Sequence, residues 1–272
     1  MGVTAPDAAA SQAVVIGIGG VPIQVRSDSP EFLEMLERRY TGFIAPHVAP
    51  MVELDVDLVA PRAITDEDDI QVRFKAGHWL IERGDLRAEL EPTLSRGRVE
   101  QSANPYSIDT VLRIIHSLVL ARRGGLLVHA ASCVRNGRAF LFAGVSEAGK
   151  TTISSLAPPD ATLLTDEISY LQRGENGFIA FGTPFAGELA RPGENIQAPL
   201  GAIYLLQKGL ENVIEPVRES DAVRLLMENV LFFANDSELV DKVFESVCKL
   251  VRRVPVRRLT FFPDSRVWDL IV

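Results

Sequence analysis

Cysteine is scarce in this chain, with two among 272 residues, Cys133 and Cys248. So distant a pair makes neither a disulfide framework nor a zinc quartet, and the expected state is two buried thiols in a reducing, cytoplasmic setting. Histidine is nearly as rare. His47, His78, His116 and His129 show no H-x-x-x-H or H-E-x-x-H spacing, which argues against a dedicated transition-metal site. Long hydrophobic runs are missing too. The longest nearly apolar stretch, Ala13 to Ile23, is broken by three glycines and a proline, and no run reaches the roughly 18 residues of a membrane span. The first residues, Met1-Gly2-Val3-Thr4-Ala5-Pro6-Asp7, lack the basic start of a secretory signal. Positive charge is in deficit: 28 basic against 36 acidic residues give a net −8, the opposite of a nucleic-acid module. The chain is expected to be cytoplasmic, with neither membrane nor nucleic acid among its partners.

What is present is an ordinary globular composition, 47% hydrophobic and 24% charged, long enough for one large or two modest domains at roughly 150 residues each. Residues 1–12 read as loose. Val14 to Val25 reads as two strands around Gly17-Ile18-Gly19-Gly20. A dinucleotide fingerprint fails there, because Pro22 stands where glycine or alanine is required and no helix follows. Ser29-Pro30-Glu31 opens a helix whose apolar face is Phe32, Leu33, Leu36 and Tyr40. Val52 to Leu58 alternates strictly, a strand with one solvated acidic face. Asp66-Glu67-Asp68-Asp69 reads as a loop, and further strands fall at Val72–Phe74 and Trp79–Ile81. Residues 1–104 therefore form a smaller, strand-rich α+β lobe. Asn104-Pro105 marks a boundary. Beyond it a helix carries Ile108, Val111, Leu112, Ile115, Leu118 and Val119, ending at Arg122-Arg123-Gly124, with His116 as a core residue. Residues 105–272 make the second domain.

The chemistry is concentrated in Gly144-Val145-Ser146-Glu147-Ala148-Gly149-Lys150-Thr151, which fits G-x-x-x-x-G-K-[ST]. In such a loop, glycines let backbone N–H groups turn inward around phosphate oxygens. The lysine meets the terminal phosphates, and the threonine hydroxyl ligates Mg²⁺. Arg138 to Ala143 is an apolar strand entering the loop, and Thr151 to Ala157 is a short helix leaving it, stopped by Pro158-Pro159. Upstream, Leu126 to Arg135 and the dipeptide Asn136-Gly137 predict a tight hairpin. Its register pairs Cys133 with Phe140, Ala131 with Phe142 and His129 with Gly144, which sets His129 beside the loop. Sixteen residues after Lys150, Asp166-Glu167 ends a short apolar strand. Either acid suits holding Mg²⁺ or taking the proton of an acceptor hydroxyl.

These residues resemble the HPr kinase/phosphorylase-like family, whose kinase domain shares its core with phosphoenolpyruvate carboxykinases. The resemblance covers roughly residues 124–272. It rests on Val128-His129-Ala130-Ala131, on the Gly144–Thr152 loop, on Leu164-Thr165-Asp166-Glu167, and on Phe181 to Glu188 and Val254 to Leu259. It implies an α/β fold, a mixed twisted sheet around the phosphate loop, and a bacterial cytosolic kinase using ATP and Mg²⁺ to phosphorylate a hydroxyl, usually of serine. By position, His129 is then the active-site histidine, which orients or assists the acceptor. Lys150 with the amides of Gly144 to Thr152 binds phosphate, Thr151 with Asp166 or Glu167 holds the metal, and Asp166 activates the acceptor hydroxyl. Glu147 replaces a common glycine, Glu167 replaces an aspartate, and the arginine-glycine signature of true HPr kinases does not follow Glu188. The acceptor is therefore left as a peptide, protein or small molecule other than HPr. An ATPase and a silent nucleotide sensor stay open, as does a homo-oligomer. Helices are expected over Ser220–Phe233 and Ser237–Val251, with Arg257 or Arg258 as a phosphate clamp if the basic C-terminal surface is more than solvated charge.

Overall fold

The computed structural model of the chain describes residues 12–61 and 69–271. The expectations for residues 1–11 and for Asp66-Glu67-Asp68 lie outside the described residues. The chain divides into two compact units, Met1–Gly17 with Val21–Val111, and Ile18–Gly20 with Leu112–Val272. Each contains a sheet with both parallel and antiparallel pairs, so the class is mixed α/β.

The first unit is built on strands β1 (Gln12–Ile18), β2 (Val21–Ser27), β3 (Val52–Leu58), β4 (Gln71–Lys75), β5 (His78–Arg83), β6 (Leu86–Leu90) and β7 (Arg96–Gln101), in the order β1-β2-β3-β7-β6-β5-β4. The β1–β2 hairpin turns on Gly19 and Gly20, both with positive φ, as the glycine run predicts. Helix α1 (Pro30–Arg39) buries Phe32, Leu33 and Leu36. Its N-cap is Ser29, whose side chain accepts from the Phe32 N–H at 3.2 Å. Ser29→Ala removes that acceptor and should lower the unit's stability by about 1 kcal/mol in urea titration. An unchanged midpoint would show that the cap contributes nothing.

The acidic face of β3 is a solvated, charge-paired face. Glu53 lies 2.6 Å from Arg26 and 3.3 Å from Arg96, and Asp57 lies 2.5 Å from Arg98. Helix α2 (Pro105–Arg123) ends on Gly124 at φ +73°. Its first turns are tied to this unit. Ser107 donates to Asp85 at 2.6 Å, and Arg39 Nε donates to Asp109 at 3.0 Å.

The second unit contains β8 (Leu126–Arg135), β9 (Arg138–Ala143), α3 (Lys150–Ser155), β10 (Thr162–Thr165), β11 (Ile168–Gly174), β12 (Gly177–Phe181), β13 (Gln197–Lys208), β14 (Val213–Pro216), α4 (Glu219–Met227), α5 (Ser237–Arg253) and β15 (Val256–Phe261). The pairings β8–β9, β9–β13, β13–β12, β12–β11 and β11–β8 return to their starting strand. Its core gathers Phe140, Phe142, Tyr204, Phe261 and Trp268. The Trp268 indole N–H donates to the Ile153 carbonyl at 3.1 Å, fastening α3 to this core.

Two sequence expectations need correction. Helix α4 stops at Met227, not Phe233. The chain after it runs along β8, where Val230 bridges Val128 and the Leu231 N–H donates to Leu127 O at 2.9 Å. An open strand edge outcompetes further helix there, because its backbone groups would otherwise be unpaired. Of the two free cysteines, Cys133 is buried, its thiol pushed up to about 12 by desolvation, whereas Cys248 is only half-buried on α5. Among the described residues no helix is long and apolar enough to cross a membrane.

Candidate functional site

The hairpin preceding the glycine-bearing loop forms in the expected register. Asn136 and Gly137 adopt φ of +52° and +72°, and Arg135 pairs with Arg138, Cys133 with Phe140 and Ala131 with Phe142. The ladder ends at Ala130 and Ala143, one pair short of His129 and Gly144. The expected His129–Gly144 pair is replaced, because β9 turns away into the loop and the chain after α4 takes its place. The His129 N–H donates to Asn229 O at 2.7 Å. On the opposite edge of β8, His129 is in register with Ile168.

The Gly144–Gly149 segment connects β9 to α3. Glu147 has a φ of +62° and Gly149 one of +106°. A side chain on Gly149 would place its Cβ 2.6 Å from the Phe261 ring, so this turn requires glycine by both conformation and space. Lys150 is 8% exposed. Its ammonium folds back over the loop and donates to Gly144 O at 3.0 Å and Val145 O at 3.2 Å. Burial lowers its pKa from the ordinary lysine value, and the charges of Glu167 and Glu188 oppose that shift. Helix α3 is only six residues long, so the loop backbone and Lys150 carry the positive character more than any helix dipole.

Strands β10 and β11 lie along one edge of β8, β10 against Ser132–Val134 and β11 against Leu126–His129. Asp166 and Glu167 occupy the break between them. Asp166 is 3% exposed. Its Oδ1 accepts from the Gly187 N–H at 2.8 Å and its Oδ2 from the Leu189 N–H at 2.9 Å. The Glu167 side chain, 32% exposed, lies 3.6 Å from the Arg113 guanidinium, which sits over the Phe185 ring. The Thr151 hydroxyl donates to Glu188 Oε2 at 2.9 Å.

These groups line a cleft of about 640 Å³, within the roughly 300–1,000 Å³ of ligand sites. His129, Ser146, Glu147, Gly149, Lys150, Thr151, Thr152, Asp166 and Glu167 all reach it. Gly144, Val145 and Ala148 shape the loop without lining the cleft. Arg257 and Arg258, either of which would be a clamp only if the basic C-terminal surface is more than solvated charge, lie on β15 and do not line the cleft. His129 is half-buried, and desolvation first, then the charges of Lys150 and Arg113, hold its pKa below the ordinary value. Its ring is therefore neutral at pH 7.

Sequence reasoning gave no role to Glu188 and Lys208, which complete the cleft. Lys208 had a usable signal. It ends a strand parallel to β9, at the carboxyl end where ligands gather in such sheets. Glu188 lies in an irregular segment with no spacing rule.

No curated protein matches the chain. The family described as "SynChlorMet cassette protein ScmC" matches residues 98–271, a span that takes in all of α2, every strand from β8 to β15 and each cleft residue named above. That match covers more than half of the chain, which thus belongs to the ScmC family.

Proposed function

We propose that this protein is an ATP-dependent kinase that transfers a γ-phosphoryl group to a hydroxyl of serine type on a peptide, protein or small molecule. In this reading the second unit is an HPr kinase-like α/β core and Gly144–Thr151 is its phosphate loop. The observation that carries the proposal is Lys150 held across the loop carbonyls, facing a cleft that also presents a hydroxyl, carboxylates and a neutral imidazole.

Lys150 and the loop N–H groups would stabilise charge on the transferring phosphoryl group. When bound with the nucleotide, Mg²⁺ would supply positive charge that offsets the charge of the phosphates. The residues present suit it: Thr151 and Glu188 offer hard oxygen atoms 2.9 Å apart, and Mg²⁺ is commonly held by one or two carboxylates together with substrate phosphates. Among the described residues no three His, Cys, Asp or Glu side chains form a ready-made metal cage, and a nucleotide-borne Mg²⁺ needs none. The hydroxyl's proton passes to a carboxylate oxygen of the Asp166-Glu167 pair. Lys208 adds positive charge at the cleft mouth, suited to the nucleotide or to an acidic acceptor.

Incubation with γ-labelled ATP, Mg²⁺ and a lysate of the source organism tests the reading. Label on an acceptor as an acid-stable phosphomonoester is expected. Release of free phosphate alone would make the protein an ATPase, and no turnover would leave only nucleotide sensing. His129→Ala should lower transfer roughly 10- to 100-fold, at or below the span of one acid–base group, with ATP affinity retained. Unchanged transfer would return His129 to a packing role.

A further inference from the structure

We infer that the outer face of α5 is an interface between two copies of this chain, packed antiparallel about a two-fold axis near residue 246. Helix α5 has two apolar sides. One faces the core and buries Leu239, Val243, Val247 and Leu250. The other faces outward: Val240 is 43% exposed and Phe244 50%, while Cys248 and Val251 are half-buried. Spaced by four, four and three residues, these four side chains form one stripe along the helix. A lone exposed apolar residue needs no explanation, but a continuous stripe marks a surface that a partner covers. Charge identifies the partner. Glu238 pairs with Lys242 and Glu245 with Lys249 within the helix. The unbalanced charges beside the stripe are then Asp241 towards one end and Arg252 towards the other, both exposed. An apolar seam flanked by opposite charges at its two ends complements itself when a copy is turned end for end. The register agrees. The midpoints of Phe244 and Cys248, of Val240 and Val251, and of Asp241 and Arg252 all fall within half a residue of position 246, so a single axis sets each of these opposite its counterpart. Arg252 also reaches Glu219 at 3.0 Å, an exposed pair of the kind that contributes little and can re-form elsewhere.

The inference does not depend on the kinase reading, and its test uses the full chain without nucleotide. Sedimentation of the reduced protein over a roughly hundredfold range of concentration should carry the wild type from the mass of one chain, 29.8 kDa, towards twice that mass. Phe244→Asp places a charge in the seam and should leave a folded monomer throughout. Asp241→Arg alone, or Arg252→Asp alone, sets like charges opposite each other at both symmetric contacts and should weaken association about tenfold. The two substitutions together exchange the signs and should restore it, a rescue that only antiparallel self-docking predicts. A short bis-maleimide linker should join two chains through Cys248, since Cys133 is buried, and it reports pairs too short-lived to sediment together. A wild type that is monomeric at every concentration and not joined by the linker overturns the inference. So does association that survives Phe244→Asp, or a double variant that associates no better than either single one.

Discussion

Lys150→Ala is expected to slow phosphoryl transfer by roughly 10²- to 10³-fold, the scale seen when one preorganised donor to a developing negative charge is removed. The reason lies in its placement. The ammonium is 8% exposed, and it is held by two backbone carbonyls, Gly144 O and Val145 O. It is thus aimed before any ligand arrives, and a buried charge interacts more strongly with phosphate than one in water. Removing it takes the side-chain donor from Gly144 O, while Val145 O keeps the Ala148 N–H at 3.1 Å, so some loss of stability accompanies the loss of rate. Lys150→Arg separates the two effects. It keeps the charge but not the compact geometry, and it should recover stability better than turnover. Transfer by Lys150→Ala within a few-fold of wild type would remove the loop from the chemistry.

The second large effect concerns His116, which does not line the cleft. Its ring is fully buried in α2, with neither nitrogen hydrogen-bonded, edge-on to Tyr170 at 5.4 Å between centroids. Burial alone pushes its pKa from 6.5 down to about 3. The sign follows from proton counting. Below pH 6.5 the unfolded chain takes up a proton on this ring, whereas the native state does not until about pH 3. Stability present above pH 6.5 is therefore lost as pH falls, by about 1.4 kcal/mol per unit. That makes about 2 kcal/mol between pH 7 and 5, and on the order of 5 kcal/mol by pH 3. His116→Leu, of similar volume, leaves no polar atom unsatisfied and should be neutral or stabilising at pH 7. Its unfolding free energy from urea titration should fall less than wild type's on going to pH 5, by that same amount of about 2 kcal/mol. Parallel pH profiles for the two proteins would show that the native ring takes up the proton as readily as the unfolded one.

The hairpins, the alternating β3, the capped α1 and the strand–loop–helix of β9 and α3 were legible because each is specified locally, by turn residues, period or cap. The register counted from Asn136-Gly137 held through Ala130 and Ala143, because turn chemistry fixes pairing. It failed at His129, where a segment roughly 100 residues later supplies the partner. The same long-range competition cut α4 short. Asp166 was legible as a strand-end acid, but its two backbone partners lie more than 20 residues downstream in a segment without periodicity. No spacing in the sequence announces that Glu188 would be turned onto Thr151.

The central claim is that the Gly144–Thr151 loop binds nucleotide phosphate, and equilibrium unfolding with and without Mg²⁺·ATP tests it most directly. Nucleotide at 100 times its dissociation constant should stabilise the wild type by about 2.7 kcal/mol, and Lys150→Ala should lose most of that gain. A wild-type protein whose unfolding ignores saturating Mg²⁺·ATP and Mg²⁺·ADP alike would contradict the account.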